Sequence, residues 1–141
     1  MIYNAEIIKI DFQDEYEGRV LLKCNGKELL VAHQLPPATN KYFVPGKTIL
    51  VDLWLFYGSP KHSLFTEKQL VESSDVVGGV LRGQVTAVFN SREFRIDCGA
   101  VEIDILHEQP LEFSKNEYVE VSGCYYIFLP NTEYSKEEWW G

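Results

Sequence analysis

The chain of 141 residues lacks several features that would assign it to a broad class at once. No apolar run reaches the roughly 18 residues needed to cross a bilayer. The first residues have neither the basic flank nor the apolar stretch of a secretory signal. The three cysteines, an odd number, fit no disulfide framework and suit a reducing compartment. These absences predict a soluble, cytoplasmic protein that makes no membrane contact.

Sequence motifs of catalysis are also missing. The chain has no Gly-rich phosphate loop, no Ser-centred nucleophile elbow and no spacing typical of a metal site. A catalytic cysteine needs a nearby cation or helix N-terminus. The strand pattern instead points Cys24 and Cys98, the hairpin cysteines, towards a core, and places Cys124 in the middle of a strand. We therefore expect no enzymatic activity, no cofactor and no metal.

Positive charge is scarce, and the scarcity is uneven. The formal net charge is −8. Residues 1–58 carry six Lys and Arg against seven Asp and Glu, whereas residues 59–141 carry seven against fourteen. Binding to phosphates requires Lys and Arg to displace counterions, so the acidic second half disfavours nucleic acid as a partner. The same charge would steer a basic protein towards this surface.

The most informative feature present is an internal repeat. Residues 22–36 align without gaps to residues 96–110, and the pairs Cys24/Cys98, Glu28/Glu102, His33/His107 and Pro36/Pro110 are identical. In each copy a hairpin is predicted, the first at the turn Asn25-Gly26, which tolerates positive φ at both positions. The predicted inward faces are Val20, Leu22, Cys24, Leu29 and Val31 in the first copy, and Phe94, Ile96, Cys98, Val101, Ile103 and Ile105 in the second. The turn geometry also pairs Lys23 with Glu28 and Arg95 with Asp104, both outward.

The repeated Cys, Glu and His invite a metal interpretation, which the hairpin geometry rejects within one copy. Cys24 lies at the tip, whereas His33 pairs near Gly18, about six residues further along the strand. At roughly 3.3 Å per residue the two are about 20 Å apart, too far to share a metal ion. A ligand set drawn from both copies stays open, and the alternative is that these cysteines and histidines have structural roles.

Long strands follow each hairpin, at residues 48–57 and 115–129. One face of the first is aliphatic, and the inward face of the second combines aliphatic residues with Tyr125. The other face of each carries aromatic and acidic side chains. Together with the two C-terminal tryptophans, these form the candidate binding residues: Asp52, Trp54, Phe56, Glu120, Tyr126, Phe128, Trp139 and Trp140. The aromatic residues could hold the two copies together, contact a protein partner, or stack on bases or sugars.

In layout each copy resembles a small five-stranded OB-like or SH3-like barrel, with a loop in place of the usual helix between its third and fourth strands. We predict an all-β fold with units at 1–58 and 80–130, a linker at 59–79 containing a short helix at 66–73, and a tail at 131–141. A single larger sandwich is the alternative.

The predicted function is that of a non-catalytic module that binds a basic protein. The alternative is an OB-like binder of single-stranded nucleic acid or oligosaccharide. That alternative requires the lysines of the first unit to gather beside Trp54: Lys9, Lys23, Lys27, Lys41 and Lys47.

Overall fold

The computed structural model describes residues 1–14, 17–70 and 77–136. This part of the chain is predominantly β, which confirms the all-β prediction. The strands are β1 (Ile2–Phe12), β2 (Gly18–Cys24), β3 (Lys27–His33), β4 (Thr48–His62), β5 (Gln69–Leu70), β6 (Gly79–Val88), β7 (Glu93–Asp97), β8 (Glu102–His107) and β9 (Tyr118–Phe128). None of the described helical segments is long and apolar enough to cross a membrane.

The strands form one mixed sheet whose pairings close on themselves twice. The first circuit runs β1–β2–β3–β9–β4 and returns to β1, and the second runs β6–β7–β8–β4–β9 and returns to β6. β4 and β9 belong to both circuits and pair with each other antiparallel. The contacts of β3 with β9 and of β4 with β8 are parallel. The division into units at 58 and 80 stays a prediction.

The registers of both hairpins agree with the predicted ones. Lys23 pairs with Glu28 and Val20 with Val31 in the first hairpin, and Arg95 pairs with Asp104 in the second. The predicted inward residues of both hairpins are all buried. Alternation of apolar side chains along a strand has a period of two, and the turn fixes the register, so these local patterns are sufficient to define the core face.

The predicted helix at 66–73 is wrong over the residues that the structure describes. Residues 66–68 are irregular and Gln69–Leu70 form β5, in which Leu70 pairs with Leu81 and is buried. Burial against β6 outweighs the weak helix propensity of this short segment. Residues 71–73 lie outside the described residues.

The segment between β3 and β4 also differs from the predicted loop. A 3-10 helix spans Pro37–Tyr42, and Pro37 lies in its first turn. Proline suits that position because its ring fixes φ and its missing N–H would have no helical partner there. The Thr39 hydroxyl donates to the carbonyl oxygen of Pro36 at 2.7 Å, which secures the start of the turn.

Candidate functional site

Four of the predicted binding residues meet on the central strands β4 and β9. The ring of Phe56 stacks on that of Tyr126, with centroids 4.9 Å apart, and lies 5.8 Å from Phe128 and 5.9 Å from Trp54. The register explains this, because Trp54 pairs with Tyr126 and alternate residues of both strands project from the same face. The predicted aromatic face therefore forms a single cluster.

Most of this aromatic cluster is closed to solvent. Trp54, Phe56 and Phe128 are only 4%, 7% and 5% exposed, whereas Tyr126 is half-buried. Three rings consequently contribute to packing at the pair of strands that both circuits share. Among the four aromatic residues of this cluster, Tyr126 is the one that a partner could reach.

Tyr57, which the sequence analysis did not select, extends the cluster to the surface. It is 78% exposed, and its ring lies edge-on to those of Tyr126 at 6.1 Å and Phe56 at 6.4 Å. A β-bulge causes this orientation. Phe56 pairs with Cys124 and Ser59 with Ser122, so β4 has one more residue than β9 between these two pairs. Strict alternation would have placed Tyr57 on the aliphatic face.

The backbone of Tyr57 is unusual for an exposed aromatic residue. Its φ is +56°, in the left-handed region that L-residues with a bulky side chain rarely adopt. Such a conformation persists only where the surrounding structure imposes it. The sequence signal that accompanies it is Gly58, whose small size lets the bulge approach Ile105 and Val121 closely.

The opposite end of the aromatic cluster borders a charged cavity of about 470 Å³. It is lined by Met1, Ile2, Asp52, Trp54, Phe89, Glu93, Arg95, Asp104 and Lys136. The ammonium of Lys136 lies 4.3 Å from the centre of a Trp54 ring and 3.1 Å from a carboxylate oxygen of Glu93. A base or sugar could stack on this face of Trp54 only after displacing that ion pair.

Asp104 lies in the same cavity, and the prediction that it faces outward is wrong. It pairs with Arg95 as predicted, accepting hydrogen bonds from Nε at 2.6 Å and from a terminal nitrogen at 3.3 Å, yet it is only 4% exposed and does not face solvent. The amino group of Met1 covers it, 2.6 Å from Asp104 and 2.8 Å from Asp52. Hydrogen bonding to Asp104 raises the pKa of Arg95. The buried carboxylate is thus well compensated.

The remaining predicted residues do not join the cluster. Glu120 lies further along β9, between Lys61 at 3.2 Å and Arg82 at 3.6 Å. Asp52 pairs across the strands with Phe128 and faces the charged cavity. Trp139 and Trp140 lie outside the described residues. The described residues of the predicted site therefore divide into the half-buried Tyr126, three packed aromatic rings, and two acidic residues that lie apart from the rings. Tyr126 and Tyr57 together form an accessible tyrosine pair.

The two hairpin cysteines, Cys24 and Cys98, are buried. Burial raises the pKa of Cys24 to about 11 and that of Cys98 to about 12, which opposes thiolate formation. Within the described ranges, no group of three or more His, Cys, Asp or Glu side chains is placed to hold a metal ion. Comparison of the chain with protein-family models and with curated proteins found no match.

Proposed function

We propose that this chain is a non-catalytic interaction module that binds a basic protein through the tyrosine pair, Tyr57 and Tyr126. The observation that carries the proposal is the exposed Tyr57 ring, held by a bulge at φ +56° against the ring of Tyr126. Tyrosine is enriched among the residues that dominate binding energy at interfaces. A ring fixed in advance also loses little conformational entropy when a partner binds.

Charge favours a cationic partner for this pair. Four other rings each have a cation of the chain over them: Trp54 with Lys136, Phe89 with Arg95, Phe65 with Arg82 and Tyr42 with Lys41. In the described part of the chain no Lys or Arg lies over Tyr57 or Tyr126. Burial raises the pKa of Tyr126, and the carboxylate of Glu17 adds to that effect, so a negative charge lies nearby. A partner's Lys or Arg would meet both an open ring and an anion.

We further propose that the two strand circuits are a pair of OB-like barrels that share their central strands. Each circuit has three consecutive antiparallel strands, and the third pairs in parallel with a long strand from the other half of the chain. The sequence repeat supports this interpretation, because the two hairpins and the two long strands occupy equivalent places. The units 1–58 and 80–130 would then be repeats of sequence within one body.

An OB-like barrel that binds single-stranded nucleic acid is the rival from a different class, and the positions of the lysines disfavour it. Lys23 lies between Glu6 on β1 and Glu28 on β3. The cation beside Trp54 is Lys136, which is bound to Glu93. A lysine whose cross-strand neighbours are acidic, such as Lys23, or one bound to a carboxylate, such as Lys136, contributes little of the counterion release on which phosphate binding depends.

Affinity capture from a lysate of the source cell, with three versions of the protein, tests the proposal. We expect the wild type to retain a basic protein, and Tyr57→Ala to lose at least tenfold of it. Tyr42→Ala serves as the matched control, because Tyr42 is an exposed tyrosine whose ring already has Lys41 above it. Retention of the same proteins by Tyr57→Ala contradicts the proposal.

The rival is tested with the same variants by fluorescence anisotropy of a single-stranded oligonucleotide at low and moderate salt. We expect no binding. Tight binding that weakens steeply with salt and depends on Tyr57 would replace the protein partner with nucleic acid.

A further inference from the structure

Two buried histidines occupy equivalent positions in the repeat, at the ends of β3 and β8. His33 and His107 are each 2% exposed, and each ring packs against two phenylalanines. The centroid distances are 5.2 Å to Phe12 and 4.4 Å to Phe43 for His33, and 5.6 Å to Phe94 and 5.9 Å to Phe113 for His107. The chain therefore contains two versions of one local arrangement, which can be compared directly.

In the first version a side-chain amide binds one ring nitrogen of the histidine, whereas Nδ1 is buried and has no hydrogen-bond partner among the described residues. Nε2 of His33 lies 2.8 Å from Oδ1 of Asn40, which the 3-10 helix Pro37–Tyr42 carries to this point. Because an amide oxygen only accepts hydrogen bonds, the imidazole proton is on Nε2. The first version is thus an imidazole N–H with a carboxamide bound to it.

In the second version the same nitrogen has no such partner. Nδ1 of His107 accepts a hydrogen bond from the backbone N–H of Gln109 at 3.2 Å. Burial, assisted by the charge of Arg92, lowers the pKa of His107, so the ring is neutral at pH 7 and its proton is on Nε2. Within the described ranges Nε2 donates to no protein atom.

A cavity of about 190 Å³ lies beside the ring of His107. Its other lining residues are Val88, Asn90, Ser91, Phe94, Glu112 and Phe113. The connection from β8 to β9, residues 108–117, is four residues shorter than residues 34–47 between β3 and β4, and it contains no helical turn. The second version therefore has no counterpart of Asn40 in this connection, and a cavity lies beside the histidine instead.

We propose that this cavity is a binding site for a carboxamide group supplied from outside the chain, whose oxygen accepts the Nε2–H of His107 as Asn40 does at His33. A neutral acceptor suits the site better than a carboxylate, because the imidazole is uncharged and Glu112 would repel an anion. Oxygens of Glu112 and Ser91 line the cavity and can accept the amide N–H donors, whereas Oδ1 of Asn90 already accepts the backbone N–H of Arg92 at 2.8 Å. The phenylalanine rings can cover one or two methylene groups.

The size of the cavity limits the ligand. Pockets for drug-sized molecules have about 300–1,000 Å³, so this site accommodates a single carboxamide with a short aliphatic stem. Such a group could belong to a free small molecule or to an Asn or Gln side chain of another protein. The site does not depend on the tyrosine pair, so it can fail without affecting the proposed protein binding.

The test uses the wild-type protein and NMR of the imidazole nitrogens, titrated with propionamide and, as a charged isostere, propionate. We expect propionamide to shift the Nε2 signal of His107 saturably, and propionate to leave it unchanged. The signal of His33 serves as the internal control, because Asn40 already occupies that site. No saturable shift at His107, or an equal response to propionate, overturns the proposal.

A variant extends the comparison to the first histidine. Asn40→Gly removes the internal carboxamide, and we expect His33 then to respond to propionamide as His107 does. If His33 responds in this variant while His107 does not in the wild type, the second cavity is not a carboxamide site. Titration of the wild type with free L-glutamine and with glutamine blocked at both backbone ends distinguishes the sources. Tighter binding of the free form indicates a small molecule, and tighter binding of the blocked form indicates a protein side chain.

Discussion

The strained backbone of Tyr57 provides the sharpest test of the site, through a comparison of Tyr57→Gly with Tyr57→Ala. Both variants remove the ring and its contacts with Phe56 and Tyr126. They differ in that glycine adopts φ +56° without a steric penalty, whereas alanine keeps the conflict between Cβ and the backbone. The difference between the free energies of unfolding of the two variants therefore measures the backbone conformational contribution at position 57.

The expected magnitude follows from two opposing contributions. Relief of a left-handed conformation is worth roughly 1–2 kcal/mol, and the greater freedom of glycine in the unfolded chain costs roughly 0.5–1 kcal/mol. We expect Tyr57→Gly to be more stable than Tyr57→Ala by about 1 kcal/mol. At a urea dependence of about 2 kcal/mol per molar, the unfolding midpoint would differ by about half a molar.

Urea unfolding followed by tryptophan fluorescence measures this difference, with a matched pair at Leu50 on the same strand. Leu50 is also exposed, at 45%, and its φ is not positive. There we expect the opposite order, with the glycine variant less stable than the alanine variant. A Tyr57→Gly protein that is less stable than Tyr57→Ala would refute the inference that the bulge holds this residue under strain. If the strain serves binding, Tyr57→Gly should fold well and still lose the basic partner.

Three further predictions concern the buried polar groups. Arg95→Met should destabilise the fold by about 2–3 kcal/mol in urea unfolding, because it leaves the buried carboxylate of Asp104 with one cation fewer. Arg92→Met, which removes an exposed ion pair, should reduce the free energy of unfolding by less than about 0.5 kcal/mol. Equal effects of the two substitutions would contradict the role of burial. Cys124, which is partly exposed, should react with a thiol reagent in the native protein before the hairpin cysteines do; simultaneous labelling of all three would contradict their burial. Burial lowers the pKa of His33 and His107 in the folded state, so the unfolded state binds more protons below about pH 6.5. The urea midpoint should therefore be level above this pH and fall as the pH decreases through it, and a midpoint that rises on acidification would refute the prediction.

Because both circuits share β4 and β9, a substitution in either strand can affect the whole sheet. Each of these strands pairs with members of both circuits, so a perturbation of either one reaches both halves of the sheet. β4 and β9 pack closely at Gly123, because a Cβ at this position would lie 2.8 Å from the backbone oxygen of Phe56. The tyrosine pair thus lies on the two strands that both circuits share.

What the sequence alone determined is local in origin. The turns Asn25-Gly26 and Gly99-Ala100, with the alternation of apolar residues, sufficed to predict the two hairpin registers and their inward faces, because turn geometry and a period of two act over a few residues. The same alternation brought Trp54, Phe56, Tyr126 and Phe128 onto one face. The repeat of residues 22–36 at 96–110 also located the two histidines, each of which packs against two phenylalanines.

What only the tertiary structure decided depends on contacts between segments far apart in the chain. β3 pairs in parallel with β9, and β4 with β8. The sequence does not predict these pairings, because the pattern of apolar residues along a strand does not depend on which strand lies beside it. The burial of Asp104 depends on the amino group of Met1, which contacts its carboxylate, and on β4, whose Trp54 pairs with it across the sheet. The bulge that exposes Tyr57, and the contact of Asn40 with His33 where His107 has a cavity beside it, likewise depend on packing between segments rather than on any local preference.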